Sequence, residues 1–129
     1  VKESGGWQRD SPFLTTLGLR LVEDGEGRAR VALPLKPAIA NRKGDVHGGA
    51  IGSLIDMAMS SAIRSSLTDF RGLSTISMSV NFLAVGGGEV TAEAVVTRLG
   101  RSTAFAVAEV RNAEGEVIAT GQGAFRIIR

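Results

Sequence analysis

The chain predicts an α+β domain in which a long central helix is wrapped by a curved, mainly antiparallel sheet of about six strands, with a short helix ahead of them. Three observations carry that prediction. Apolar residues recur at steps of three and four from Gly48 to Leu67, the period of an amphipathic helix. From Ile76 onward the period falls to two, over four segments separated by glycine-bearing turns. Two further strand-like segments precede the helix. One helix cannot cover both faces of such a sheet, so the compact solution curves the sheet around it and leaves the outer face or an edge for a second copy.

Residues 1–10 read as a polar N-terminal tail and residues 11–129 as one domain. Ser11 suits a helix cap, Pro12 a first helical position and Gly18 a stop, with Phe13, Leu14 and Leu17 as the apolar face between. Leu19 to Glu23 and Arg28 to Leu33 follow as strands around the turn Asp24-Gly25-Glu26-Gly27. Pro34 and Pro37 then open a loop that runs to about Val46. On the long helix, Ile51, Leu54, Ile55, Ala58, Ala62 and Ile63 form one stripe, and Ser53, Asp56, Ser60 and Arg64 lie opposite. In the next strand Ile76, Met78, Val80 and Phe82 alternate with Ser77, Ser79 and Asn81. Gly86-Gly87-Gly88, Gly100-Arg101 and Asn112 to Gly115 punctuate the strands Glu89 to Leu99, Thr103 to Arg111 and Val117 to Ile128. Four consecutive strands with short connections are expected to form an antiparallel meander.

Composition narrows the function. Fifteen basic residues against thirteen acidic give a net charge of +2 without any basic run, and five Phe and one Trp offer little for base stacking, so no nucleic-acid partner is expected. With no cysteine, disulfides and thiolate chemistry are excluded, and a single histidine argues against a metal site. No apolar run is long enough to span a membrane and residues 1–10 lack an apolar signal core, so no membrane partner and a cytoplasmic location are expected.

The informative stretch is Asn41 to Asp56. It sets the only histidine, His47, directly before Gly48-Gly49 at the start of the long helix, with Asp56 about two turns further on. A helix N-terminus with unpaired N–H groups suits an electrophilic carbonyl, and a carboxylate suits a base or nucleophile. Each piece alone has a plainer use. A helical Asp is most often solvated, Asn41 can close a turn, Ser77 can face outward from a strand, and Arg101 can be a solvated turn residue. Met57, Met59 and Met78 fit packing or pocket lining, and Gly86-Gly87-Gly88 lacks the flanks of a phosphate loop.

The pattern Asn41-x5-His47-Gly48-Gly49-x6-Asp56, in this order of elements, resembles the hotdog-fold acyl-CoA thioesterases of the phenylacetic-acid-degradation (PaaI-like) type. The segments Ile76 to Val85, Leu99-Gly100-Arg101 and Gly115 to Gly121 are similar to that family as well, so the resemblance covers about Phe13 to Arg126. It implies hydrolysis of an acyl-CoA thioester at the interface of a homodimer or homotetramer. No metal and no organic cofactor are then needed, because coenzyme A belongs to the substrate. By position, Gly48 N–H would face the carbonyl oxygen, and Asn41 would add a donor or hold its loop. Asp56 would attack the carbonyl or activate a water, Ser77 would orient the water or the acid, and His47 would position the loop or the thioester. Gly49 would meet the substrate, and Arg101, or Arg42 and Lys43 in the preceding loop, would meet the phosphates of coenzyme A. The rival reading is a non-catalytic acyl-CoA-binding module using the same pocket. A hotdog hydratase or dehydratase ranks below both, since the chain has one His and no second acid–base constellation.

Overall fold

The computed structural model describes residues 11–129, and the polar tail 1–10 lies outside them. Helix α1 (Pro12–Leu17) begins as expected: Ser11 Oγ accepts the Leu14 N–H, and Gly18 closes the end at φ 78°. Strands β1 (Arg20–Gly25) and β2 (Arg28–Leu33) form a hairpin, and a 3₁₀ turn (Pro37–Ile39) leads toward helix α2 (Gly48–Arg64). Strands β3 (Gly72–Phe82), β4 (Val90–Leu99), β5 (Thr103–Arg111) and β6 (Val117–Ile128) complete a six-stranded sheet. Among the described residues, no helix is long and apolar enough to cross a membrane.

The stripe Ile51, Leu54, Ile55, Ala58, Ala62 and Ile63 is buried against the sheet, as its period requires. Ser60, expected on the polar side, is buried too, because the curled sheet covers a wider arc of α2 than the apolar stripe. Its hydroxyl donates to the Met57 carbonyl at 3.2 Å, which meets its polar need locally. The inner face of the sheet is built of small residues, with Ala92, Ala94, Ala104, Ala106, Ala108 and Ala119 all buried, so the helix axis can approach closely. Gly121 marks the tightest point: a Cβ there would lie 2.7 Å from Ile55 Cγ2 and 3.3 Å from the Ser79 carbonyl oxygen. Gly121→Ala is therefore expected to cost about 1–3 kcal/mol by overpacking, read as a lower denaturant midpoint.

The strand order is β1-β2-β4-β5-β6-β3, which corrects the four-strand meander. Only β4, β5 and β6 run consecutively, while β3 pairs with β6 at the far edge and β4 pairs with β2. The reason lies in the connection from β3 to β4. Leu83 and Ala84 N–H groups donate to the Ile118 carbonyl, and the Gly86 carbonyl accepts the Val46 N–H at 2.8 Å. Gly86 is buried, and a Cβ on it would meet Ile118 Cδ1 at 2.9 Å. The glycine run is thus a packed crossover beneath the start of α2 and not a flexible hairpin turn. Among the described residues strand β3 consequently has one hydrogen-bonded neighbour, and its apolar side chains stay open: Ile76 is 54% exposed and Phe82 57%.

Candidate active site

The start of α2 is set by the residues before it. Asn41 Oδ1 accepts the N–H groups of Lys43 and Asp45 at 2.9 and 3.0 Å, closing the turn that carries Arg42, Lys43 and Gly44. Asn41 thus holds the loop, one of the two roles expected of it. His47 is the N-cap: its Nδ1 accepts the Gly49 N–H at 2.8 Å, and its carbonyl accepts from Ala50 and Ile51. These bonds use the next donors of the first turn. Among the described residues no acceptor meets the Gly48 N–H, which is left with the positive end of the helix dipole. The Phe82 ring lies beside it, 3.5 Å from where a Gly48 Cβ would be.

Asp56 lies half-buried on α2 facing β3. Burial pushes its carboxyl above the ordinary value, opposed by a hydrogen bond from Thr75. Thr75 Oγ1 donates to Asp56 Oδ1 at 2.9 Å. The hydroxyl beside the acid therefore belongs to Thr75, not to Ser77. A bulge between Thr75 and Ser77 explains the difference: Thr75 pairs with the buried Phe125, and Ser77 pairs with Ala124 on the outer face. Ser77 and Ser79 line an outer groove with Phe105, Val107 and Gln122, while Met78 turns inward toward Gly52. Strand alternation counted from Ile76 cannot reveal this, since one extra residue inverts the facing of everything before it.

Thr75→Ala should raise the Asp56 pKa further by removing the one contact that favours the carboxylate. Any activity that needs the ionised acid would then show its acidic limb displaced upward. Ser77→Ala should leave that limb in place, and paired pH–rate profiles distinguish the two.

Gly48 and Asp56 are eight residues apart on one helix, which at 1.5 Å per residue is about 12 Å. A single carbonyl cannot lie within about 3 Å of both groups. One chain therefore holds both halves of a site without bringing them together. The cations are divided as well. Arg42, Lys43 and Gly49 stand exposed at the start of α2, whereas Arg101 lies in the β4–β5 turn, whose neighbours Thr68 and Asp69 follow the end of α2. Among the described residues no group of three or more His, Asp or Glu side chains is placed to hold a metal ion.

A helix wrapped by an antiparallel sheet thus carries, among the described residues, an N–H without an acceptor at its start and a half-buried acid on its flank, groups of the kinds that acyl transfer uses. The chain belongs to the thioesterase superfamily, whose sequence profile matches residues 43–119. A Halobacterium salinarum protein provisionally named an esterase is 32% identical over 131 residues, spanning 93% of this chain and 87% of its own length. The structure of a conserved protein from Pseudomonas aeruginosa superposes with a TM-score of 0.86 at 36% identity, covering 92% of this chain and 94% of that one. The Escherichia coli PaaI protein of the phenylacetic acid degradation operon shares the fold, with a TM-score of 0.87 at 23% identity over 98% of this chain and 91% of its own.

Proposed function

We propose that the protein is an acyl-CoA thioesterase whose site is shared between two subunits, with Asp56 and Thr75 supplied by one and the Gly48 N–H by the other. Membership of the thioesterase superfamily supports thioester hydrolysis in general. The observation that carries the particular reading is the desolvated Asp56 held by Thr75 on the open edge strand, on the same helix as an unpartnered Gly48 N–H. Among the described residues no strand lies beyond the edge of β3, and Ile76, Met78, Phe82, Leu83 and Val85 leave apolar surface there. A second copy related by a two-fold axis covers that surface and turns its own α2 antiparallel to the first.

In this site the Gly48 N–H polarises the thioester carbonyl and stabilises the oxyanion that forms on attack. Asp56 takes a proton from water, whose oxygen bonds to the carbonyl carbon, or its own oxygen bonds there first and water resolves the resulting anhydride. In both routes the carbon–sulfur bond breaks, the thiolate leaves with a proton, and a free acid remains. The raised carboxyl suits a base working near neutrality. His47 and Asn41 act by holding the helix start and its loop.

Thiol release from short, long and aryl acyl-CoAs, with wild type and Asp56→Asn run together, tests the reading. Release that collapses in the variant is the expected result and identifies the acyl class. Measurable acyl-CoA binding without thiol release from any of them would replace hydrolysis by the binding-module reading.

A further inference from the structure

Gly48, Gly52 and Asp56 follow one another at steps of four along α2 and so share one face of the helix. Each is met by a side chain of β3. The Phe82 ring lies 3.5 Å from where a Gly48 Cβ would be, and Met78 Cε lies 4.0 Å from where a Gly52 Cβ would be. Thr75 Oγ1 is 2.9 Å from Asp56 Oδ1. Apart from the adjacent residues 51 and 53, no other side chain among the described residues comes within 4 Å of the Gly52 position. Gly52 therefore bares the helix backbone midway between the N–H and the acid, and Met78 alone reaches into the space beside it. Met78 is 39% exposed, so its tip can move.

The shared site fixes where that space lies. Gly48 of one chain and Asp56 of the other flank one carbonyl, and the two-fold axis repeats the pairing. The position midway between 48 and 56 is 52, so the axis passes beside Gly52 of both chains. Each carbonyl then lies four residues of helix, about 6 Å, from the axis. The thiol carrier must reach solvent, so the sulfur leads outward and the acyl group leads inward over Gly52. An extended acyl group covers that distance in about five carbons. There it meets the Met78 side chain and the acyl group entering from the second site.

We propose that Gly52 and Met78 set the length of the acyl group: Gly52 leaves the path from Gly48 open, and Met78 closes it at the dimer axis. Straight acyl groups of up to about five carbons fit, and longer ones must displace the Met78 side chain. The inference rests on the shared-site thioesterase reading and deepens it by naming the substrate class.

Thiol release from straight-chain acyl-CoAs, acetyl through dodecanoyl, tests the assignment in wild type, Met78→Ala, Met78→Leu and Gly52→Ala, each confirmed to dimerise and to melt cooperatively. In wild type kcat/KM should rise about fourfold per added methylene, as burial of each dictates, and then fall beyond about five carbons. Met78→Ala should move the peak about three carbons longer, the reach of the atoms removed, and Met78→Leu should leave it in place. Gly52→Ala, whose Cβ would meet Met78 at an ordinary 4.0 Å, should move the peak the other way. A peak at the same length in Met78→Ala and wild type overturns the proposal, as does a loss that is uniform across all lengths. Calorimetric binding of the same acyl-CoAs to the Asp56→Asn chain, with and without Met78→Ala, reads the length profile without turnover. Absence of thiol release at every length would overturn the hydrolase reading, whereas a binding profile that breaks near the same length and moves in Met78→Ala would still uphold this one.

Discussion

Asp56→Asn is expected to lower kcat for thioester hydrolysis by about a thousandfold or more while leaving the fold and the subunit contact intact. The amide keeps the shape of the carboxylate and can still accept the Thr75 hydroxyl, but it can neither take a proton from water nor attack a carbonyl. The same substitution should raise Tm at neutral pH. Burial holds the folded Asp56 pKa above its unfolded value, so the native state binds more protons than the unfolded state as pH passes between the two. Stability from this group is therefore present at low pH and lost as pH rises through that window. The wild type carries the penalty at pH 7 and the asparagine variant does not, and the difference should shrink as pH falls into the ordinary carboxylate range. Thermal melts of both proteins at neutral and acidic pH check the sign. A variant that is inactive and unstable at pH 7 would mean that Asp56 serves the fold.

Gly48→Pro is the second large expected effect, a fall in kcat of about 10²–10³-fold. Proline deletes the one N–H assigned to the carbonyl oxygen and is well tolerated at a first helical position. The preceding residue already has the required extended backbone, since His47 lies at φ −62° and ψ 138°. Stability should change little. Gly48→Ala is the matched control: it keeps the N–H, and its Cβ would meet Phe82 at an ordinary 3.5 Å. Activity lost equally in both variants would point to crowding at Phe82 and away from the missing donor.

The parts of this account that were legible in the sequence were those with a strong local cause. The helical period placed the buried stripe of α2 from Ile51 to Ile63, and turn residues marked β5 and β6 at the ends they have in the structure. His47-Gly48-Gly49 announced a helix start because a cap and two small residues precede the apolar period. Non-local causes were hidden. The bulge beside Ile76 answers to pairing with β6, so the exchange of Ser77 for Thr75 is not visible in the alternation. The crossover after β3 depends on Gly86 packing under Ile118 and Val46, contacts with partners far along the chain. One feature was present in the spacing all along: eight residues of helix separate Gly48 from Asp56 too widely for one carbonyl.

That separation makes the shared site the central claim, and subunit complementation tests it most directly. Asp56→Asn and Gly48→Pro chains, each inactive alone, would be co-expressed with different tags, and the mixed dimer assayed for thiol release. If the acid and the N–H act across the interface, each mixed dimer has one wild-type site, with Asp56 from one chain and Gly48 from the other. The isolated mixed dimer then shows about half of wild-type activity, and an unsorted mixture of randomly paired chains about a quarter. No recovery in mixed dimers that demonstrably form would contradict the account, because it would mean that both groups must come from the same chain.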